Sequence, residues 1–178
     1  MKYLIGFIFL ALTFNTDVVF DFSKDTSLRY WRIVDDVVMG GRSNGSFGLT
    51  PDGHGLFSGD ISLENNGGFS SVRYQFRGIP VNEDTRVQIR LKGDGKQYQF
   101  RVKHSLRSYY SYERYFETSG DWQTIEIPLK VMYPAFRGNR LNIPNFNHDL
   151  IQEITFLFGN KKPESFQLLI DEIVLVSK

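Results

Sequence analysis

The sequence predicts an all-β domain, an antiparallel β-sandwich, and three observations carry that expectation. From Asp17 onward, apolar and polar residues alternate or come in short apolar runs. Turn-forming residues interrupt those runs about every ten positions, the rhythm of a sandwich or barrel rather than of βαβ units. No stretch sustains the period of an amphipathic helix beyond a turn or two.

Length and composition agree. A chain of 178 residues suits one domain, and 41% hydrophobic residues build a substantial core without crosslinks or metals. The 15% of aromatic residues is spread along the chain, as when many strands each supply one or two large inward side chains. A net charge of +1 argues against a general nucleic-acid binder, which needs a strongly basic surface. The chain has no cysteine, which excludes disulfides, thiolate metal sites and cysteine nucleophiles. His54, His104 and His148 are scattered, so neither a histidine metal cage nor a Ser-His-Asp triad is read from them. No metal and no cofactor is expected.

Taking the elements in chain order, Lys2 precedes an apolar run, residues 3–14, that has the form of a secretory signal peptide. The run is too short for a stable membrane span. Residues 1–16 are therefore expected as a leader and residues 17–178 as one sandwich domain. Cleavage of the leader would make the protein exported or periplasmic; an uncleaved one would leave it cytoplasmic. The glycine-rich segment 37–46 lacks the Gly-Lys-Ser/Thr ending of a phosphate loop, and no helix pattern follows it. Turn geometry accounts for its glycines, and turn capping for the adjacent Asp35 and Asp36.

Residues 71–77, 86–92 and 97–103 alternate without a break. Between the last two lies Gly93-Asp94-Gly95-Lys96, and an Asp-Gly pair favours a two-residue hairpin turn. That hairpin pairs Leu91 with Tyr98, Ile89 with Phe100 and Val87 with Val102 on a core face. Its other face carries Arg90 beside Gln99 and Gln88 beside Arg101, with Arg73 and Gln75 added by the preceding strand. Two readings stand for this shelf. One is a solvated outer face with an acid such as Glu126 as counter-charge. The other is a cationic, forked-donor surface for an anionic or hydroxyl-rich partner.

Further along, the tyrosine-rich run 109–116 fits a half-buried strand, or a stacking platform for sugars. Residues 131–140 have room for one helical turn, kept short by Pro134 and Gly138. Asp171 and Glu172 are adjacent, so on a strand they point to opposite faces and do not form an acid/base pair.

Two stretches carry a family resemblance. WRIVDDVVMGGRS, residues 31–43, is similar to the opening motif of the complex I intermediate-associated protein 30 family, and FSGDISLENNGGFSSVR, residues 57–73, resembles its most recognisable run. Weaker echoes follow at Gly93-Asp94-Gly95-Lys96, at Trp122 ahead of Ile127-Pro128, and at Phe136-Arg137-Gly138, so the likeness spans the body of the chain from Val18. It implies a jelly-roll sandwich of the galactose-binding-domain type. It also implies a chaperone-like role in complex I assembly, without catalysis. The leader is not of the Arg-rich mitochondrial type.

The function expected is that of a non-enzymatic binding module with a protein partner. The alternative is a carbohydrate-binding module that takes a glycan through Arg73, Arg90, Gln99, Arg101, Asn65 and Asn66. A sugar-directed enzyme using acids such as Asp36 and Glu64 is the third class, and no acid/base geometry is readable for it.

Overall fold

The computed structural model describes residues 15–177. Of the expected leader, only Asn15 and Thr16 fall among these, and they begin the first strand; residues 1–14 lie outside the described residues. The strands are β1 (Asn15–Asp21), β2 (Trp31–Asp35), β3 (Asn44–Leu49), β4 (Gly55–Ile61), β5 (Ser70–Pro80), β6 (Arg86–Lys92) and β7 (Gln97–Lys103). There follow β8 (Ser111–Glu117), β9 (Trp122–Pro128), β10 (Tyr133–Phe136), β11 (Asn139–Arg140), β12 (Leu150–Phe158) and β13 (Glu164–Ser177). The described helical residues are short 3-10 turns, one of them at Leu129–Val131, and residues 133–136, where a helical turn had room, are strand β10 instead. Among the described residues no helix is long and apolar enough to cross a membrane.

All strand pairs are antiparallel, and they form two sheets. One has six strands in the order β3-β4-β13-β6-β9, with β1 also paired to β13. The other has seven, in the order β11-β10-β8-β7-β12-β5-β2. This is the antiparallel β-sandwich expected from the alternation. Its core is made by the inward set of each strand, including Val87, Ile89 and Leu91 from the first sheet and Tyr98, Phe100, Val102, Ile154 and Phe156 from the second. The aromatic content is explained by packing. Trp31 stacks on Tyr74 at 4.9 Å, and Phe158 stacks on Phe166 at 4.6 Å.

The expected hairpin is corrected. β6 pairs with β13 and β9, and β7 with β12 and β8, so the two strands lie in different sheets. Residues 93–96 arch from one sheet to the other. The alternation was read correctly, because Ile89 and Phe100 are both fully buried. They enter the same core from opposing sheets rather than from neighbouring strands. Period-two patterning says which side is inward and nothing about which strand is adjacent. The consequence matters for function, since the Arg/Gln sides of β6 and β7 now face away from each other.

Asp94 fixes the arch. Its carboxylate accepts from the Tyr98 hydroxyl at 2.9 Å and from the Gln167 backbone N–H at 3.1 Å, with Lys96 Nζ 3.2 Å away. Two of these partners belong to β7 and β13, one strand from each sheet, so the side chain ties the sandwich together at this end. Asp94→Ala is expected to cost about 2 kcal/mol by removing charge-assisted bonds to partly buried donors. Urea denaturation checks this, and an unchanged midpoint would show that the arch holds itself.

Candidate functional site

Outward residues of the seven-stranded sheet line up in register across six strands. Arg32 of β2 pairs with Arg73 of β5, Arg73 with Thr155 of β12, and Thr155 with Arg101 of β7. Arg101 pairs with Glu113 of β8, and Glu113 with Tyr133 of β10. Cross-strand partners share a face. The neighbouring row on that face is Val34, Ser71, Leu157, Gln99 and Tyr115.

Parts of this outer face are sheltered. Gln99 is 2% exposed, Glu113 3%, and Glu153 and Thr155 4% each, values ordinarily met in a core. Buried polar groups need partners, and most here have them. Arg101 Nη2 lies 3.2 Å from Glu113 Oε2, and its Nε donates to Gln99 Oε1. Gln75 donates to Glu153 at 2.7 Å. Burial pushes the Glu113 carboxyl above its usual range, although Arg101, Tyr133 and Gln99 pull it down. Burial also raises the Tyr133 phenol, to about 12, and adjacent Glu113 adds to the rise. The Arg140 guanidinium of β11 sits 4.9 Å over the Tyr133 ring.

Of the residues singled out in the sequence, the structure brings Arg73, Gln99 and Arg101 onto this one face. Arg90 is on the outer face of the other sheet. There its Nε lies 2.9 Å from Asp171 Oδ2, and its guanidinium lies 5.5 Å from the Trp122 ring, against which the His54 ring packs at 4.7 Å. The shared shelf fails for Arg90 because the arch, not a hairpin, joins β6 to β7. Asn65 and Asn66 lie in the β4–β5 connection with positive φ, and Asn65 Nδ2 donates to the Gly40 carbonyl at 3.1 Å. Asn65 thereby braces the 36–43 segment, and both residues lie off the strand face. Sequence reading missed Arg32, Glu113, Tyr133 and Thr155. Only the pairing register across five strand boundaries gathers them, and no local pattern encodes it.

The acids form no catalytic pair here. Asp36 is fully buried and accepts from Ser43 N and Oγ, Gly68 N and Phe69 N at 2.5–3.3 Å. Within the glycine-rich segment 37–46, the Ser43 N–H is thus directed at the Asp36 carboxylate and the Gly45 N–H at Asp35, side chains of the chain itself. Glu64 is exposed and pairs with Arg42 at 2.7 Å. His104 and His148 stack at 3.7 Å, and His148 Nε2 meets the Tyr112 hydroxyl at 2.9 Å. Burial lowers the pKa of both imidazoles, so each favours its neutral form. Among the described residues, no group of three or more His, Asp and Glu side chains converges for a metal.

Comparisons with known proteins bear on both the sequence and the fold. The family model described as "Complex I intermediate-associated protein 30" matches residues 20–170. A curated relative, the mitochondrial Complex I intermediate-associated protein 30 of Drosophila melanogaster, is 24% identical over 146 residues, covering 70% of this chain and 49% of its own. The chain therefore spans about half the length of that relative. Among solved structures, a family 11 carbohydrate-binding module of a cellulosomal cellulase from Clostridium thermocellum superposes with a TM-score of 0.69 at 14% identity, covering 92% of this chain and 95% of the module. A family 11 module from the same organism in complex with a mixed-linked tetrasaccharide gives 0.68 at 14% identity, over 91% of this chain and 95% of its own. At such identities the likeness is one of fold, a galactose-binding-like sandwich.

Proposed function

The chain belongs to the complex I intermediate-associated protein 30 family, and from that premise we propose that it is a non-enzymatic, chaperone-like assembly module. It holds a protein partner against the outer face of the seven-stranded sheet. The family supports an assembly-related role. The observation that carries the choice of face is its sheltered polar residues: Glu113 and Thr155 in one row and Gln99 in the next are buried on a side of the sheet that a free sandwich leaves to water. Exposed Tyr115 beside the row supplies the aromatic contact area that interfaces favour. The proposed place of work is outside the cytoplasm, which the apolar run of residues 3–14 supports.

A photo-crosslinking residue in place of Tyr115, with exposed Thr124 on the opposite face as the control position, tests this in the native host. Defined protein adducts are expected from position 115 and not from 124. Equal adducts from both, or none, would end the reading. A second reading, carbohydrate binding, draws on Tyr115 and Tyr133 flanking Arg101 and Gln99 on one face, and on the sandwich shared with carbohydrate-binding modules. Affinity electrophoresis in mixed-linkage β-glucan checks it, and unretarded migration would remove it.

A further inference from the structure

The proposed docking face contains an unused guanidinium. Among the described residues Arg73 has no carboxylate within 4.0 Å, and its Nε is a buried donor with no hydrogen-bond partner. Orphaned donors of this kind are rare, because each keeps its desolvation cost without compensation. Arg73 and Arg101 flank Thr155 on the strands either side of β12, so their Cα atoms stand about 10 Å apart, two strand spacings. Two arginine side chains reaching over that gap are suited to grip one planar anion between them. Glu113 balances only one positive charge, and it lies on the far side of Arg101, away from Arg73. With Arg32 in register beyond Arg73, this row carries three guanidiniums and one carboxylate, while Glu153 in the next row on the face lies opposite Lys103 and is bonded to Gln75.

We propose that Arg73 and Arg101 form a seat for a side-chain carboxylate of an acidic, extended polypeptide segment laid across the strands of this face. The inference rests on the protein-binding reading above and names the chemistry of the partner. A carboxylate fits because its two oxygens match the forked donors of a guanidinium. An extended segment fits because the register row that carries Arg32, Arg73 and Arg101 runs across the sheet to Tyr133, one strand spacing per residue. The bare face leaves Arg73 unpaired, so an incoming carboxylate displaces no internal acid.

Titration of the full chain with fluorescein-labelled hexaglutamate tests the seat, with hexalysine and hexagalacturonate as the other arms. Hexaglutamate is expected to bind at about 0.01 M salt and to weaken markedly at about 0.15 M, as screening shortens from about 30 to about 8 Å. Hexalysine should not bind. Arg73→Gln should weaken hexaglutamate about tenfold while leaving the unfolding midpoint unchanged, because it removes no internal bond. The pair Arg101→Gln with Glu113→Gln, which removes both charges together, should weaken it similarly. Hexaglutamate binding that Arg73→Gln does not alter would overturn the proposal, and so would tighter binding of hexagalacturonate. Crosslinked partners at position 115 that persist in Arg73→Gln at high salt would sink the carboxylate seat and leave the protein-binding reading standing.

Discussion

Asp36→Asn is expected to cost about 3 kcal/mol, with the unfolding temperature falling by roughly 6–12 °C for a domain of this size. The carboxylate is fully buried, yet it is held by four donor contacts from three residues that lie 7, 32 and 33 positions away. Burial pushes its pKa up; the Ser43 hydroxyl and the backbone N–H groups of Gly68, Ser43 and Phe69 outweigh that and hold it below 3.8. Room for it is made by absent side chains. A Cβ on Gly41 would stand 2.3 Å from Asp36 Cγ, and one on Gly67 would stand 2.5 Å from Oδ2. The amide of Asn turns one acceptor into a donor facing N–H groups, so the loss exceeds that of a single neutral bond.

The sign with pH follows from the depressed value. Asp36 contributes stability above 3.8, where the unfolded chain's carboxylate is ionised, and that contribution drains away as pH falls through the lower folded value. Denaturation of both proteins at pH 7 and in the acid limb checks this. The gap between Asp36→Asn and the parent should narrow in acid; a constant gap would mean that the carboxylate is not the source. Asp35, which accepts one bond from Gly45 N at 3.0 Å, is expected to matter less, about 1 kcal/mol.

Asp36 also shows what a sequence discloses and what it withholds. The two recognisable runs, residues 31–43 and 57–73, are two halves of one joint, with the acid and its Ser43 donors in the first and the donating N–H groups of Gly68 and Phe69 in the second. Alternation disclosed the strands because burial of one side of a pleat leaves a local, period-two trace. It disclosed that Arg73, Gln99 and Arg101 point outward. Strand adjacency leaves no such trace. The segment at Asp94 reads locally as a hairpin turn, and only Tyr98 and Gln167, on two different sheets, make it an arch. Arg90 was misplaced for that reason, and Glu113 was missed for a related one. Its neighbours on the chain, Tyr112 and Arg114, say nothing of Arg101 and Tyr133, which lie on strands paired to either side.

The Arg101–Glu113 pair separates the structural use of this face from its use in binding. Arg101→Met alone is expected to cost about 3–5 kcal/mol, since it strands a nearly fully buried carboxylate without its counter-charge. Adding Glu113→Gln should restore most of that loss, because glutamine keeps hydrogen-bonding capacity toward Tyr133 and Gln99 without the charge. The pH dependence runs opposite to that of Asp36. Burial places the folded pKa of Glu113 above 4.5, so the native state holds its proton more tightly, and stability falls as pH rises from 4.5 through the folded value. Removing Arg101 takes away the attraction that limits this rise. The deficit of Arg101→Met should therefore be largest at neutral pH and shrink as the medium is acidified toward 4.5. Chemical denaturation across that range measures it. A deficit independent of pH, or one that the second substitution fails to repair, would mean that Arg101 acts through packing of its stem and not through its charge. If the repaired double variant folds like the parent yet no longer takes an acidic peptide, the charge on this face serves recognition rather than the fold.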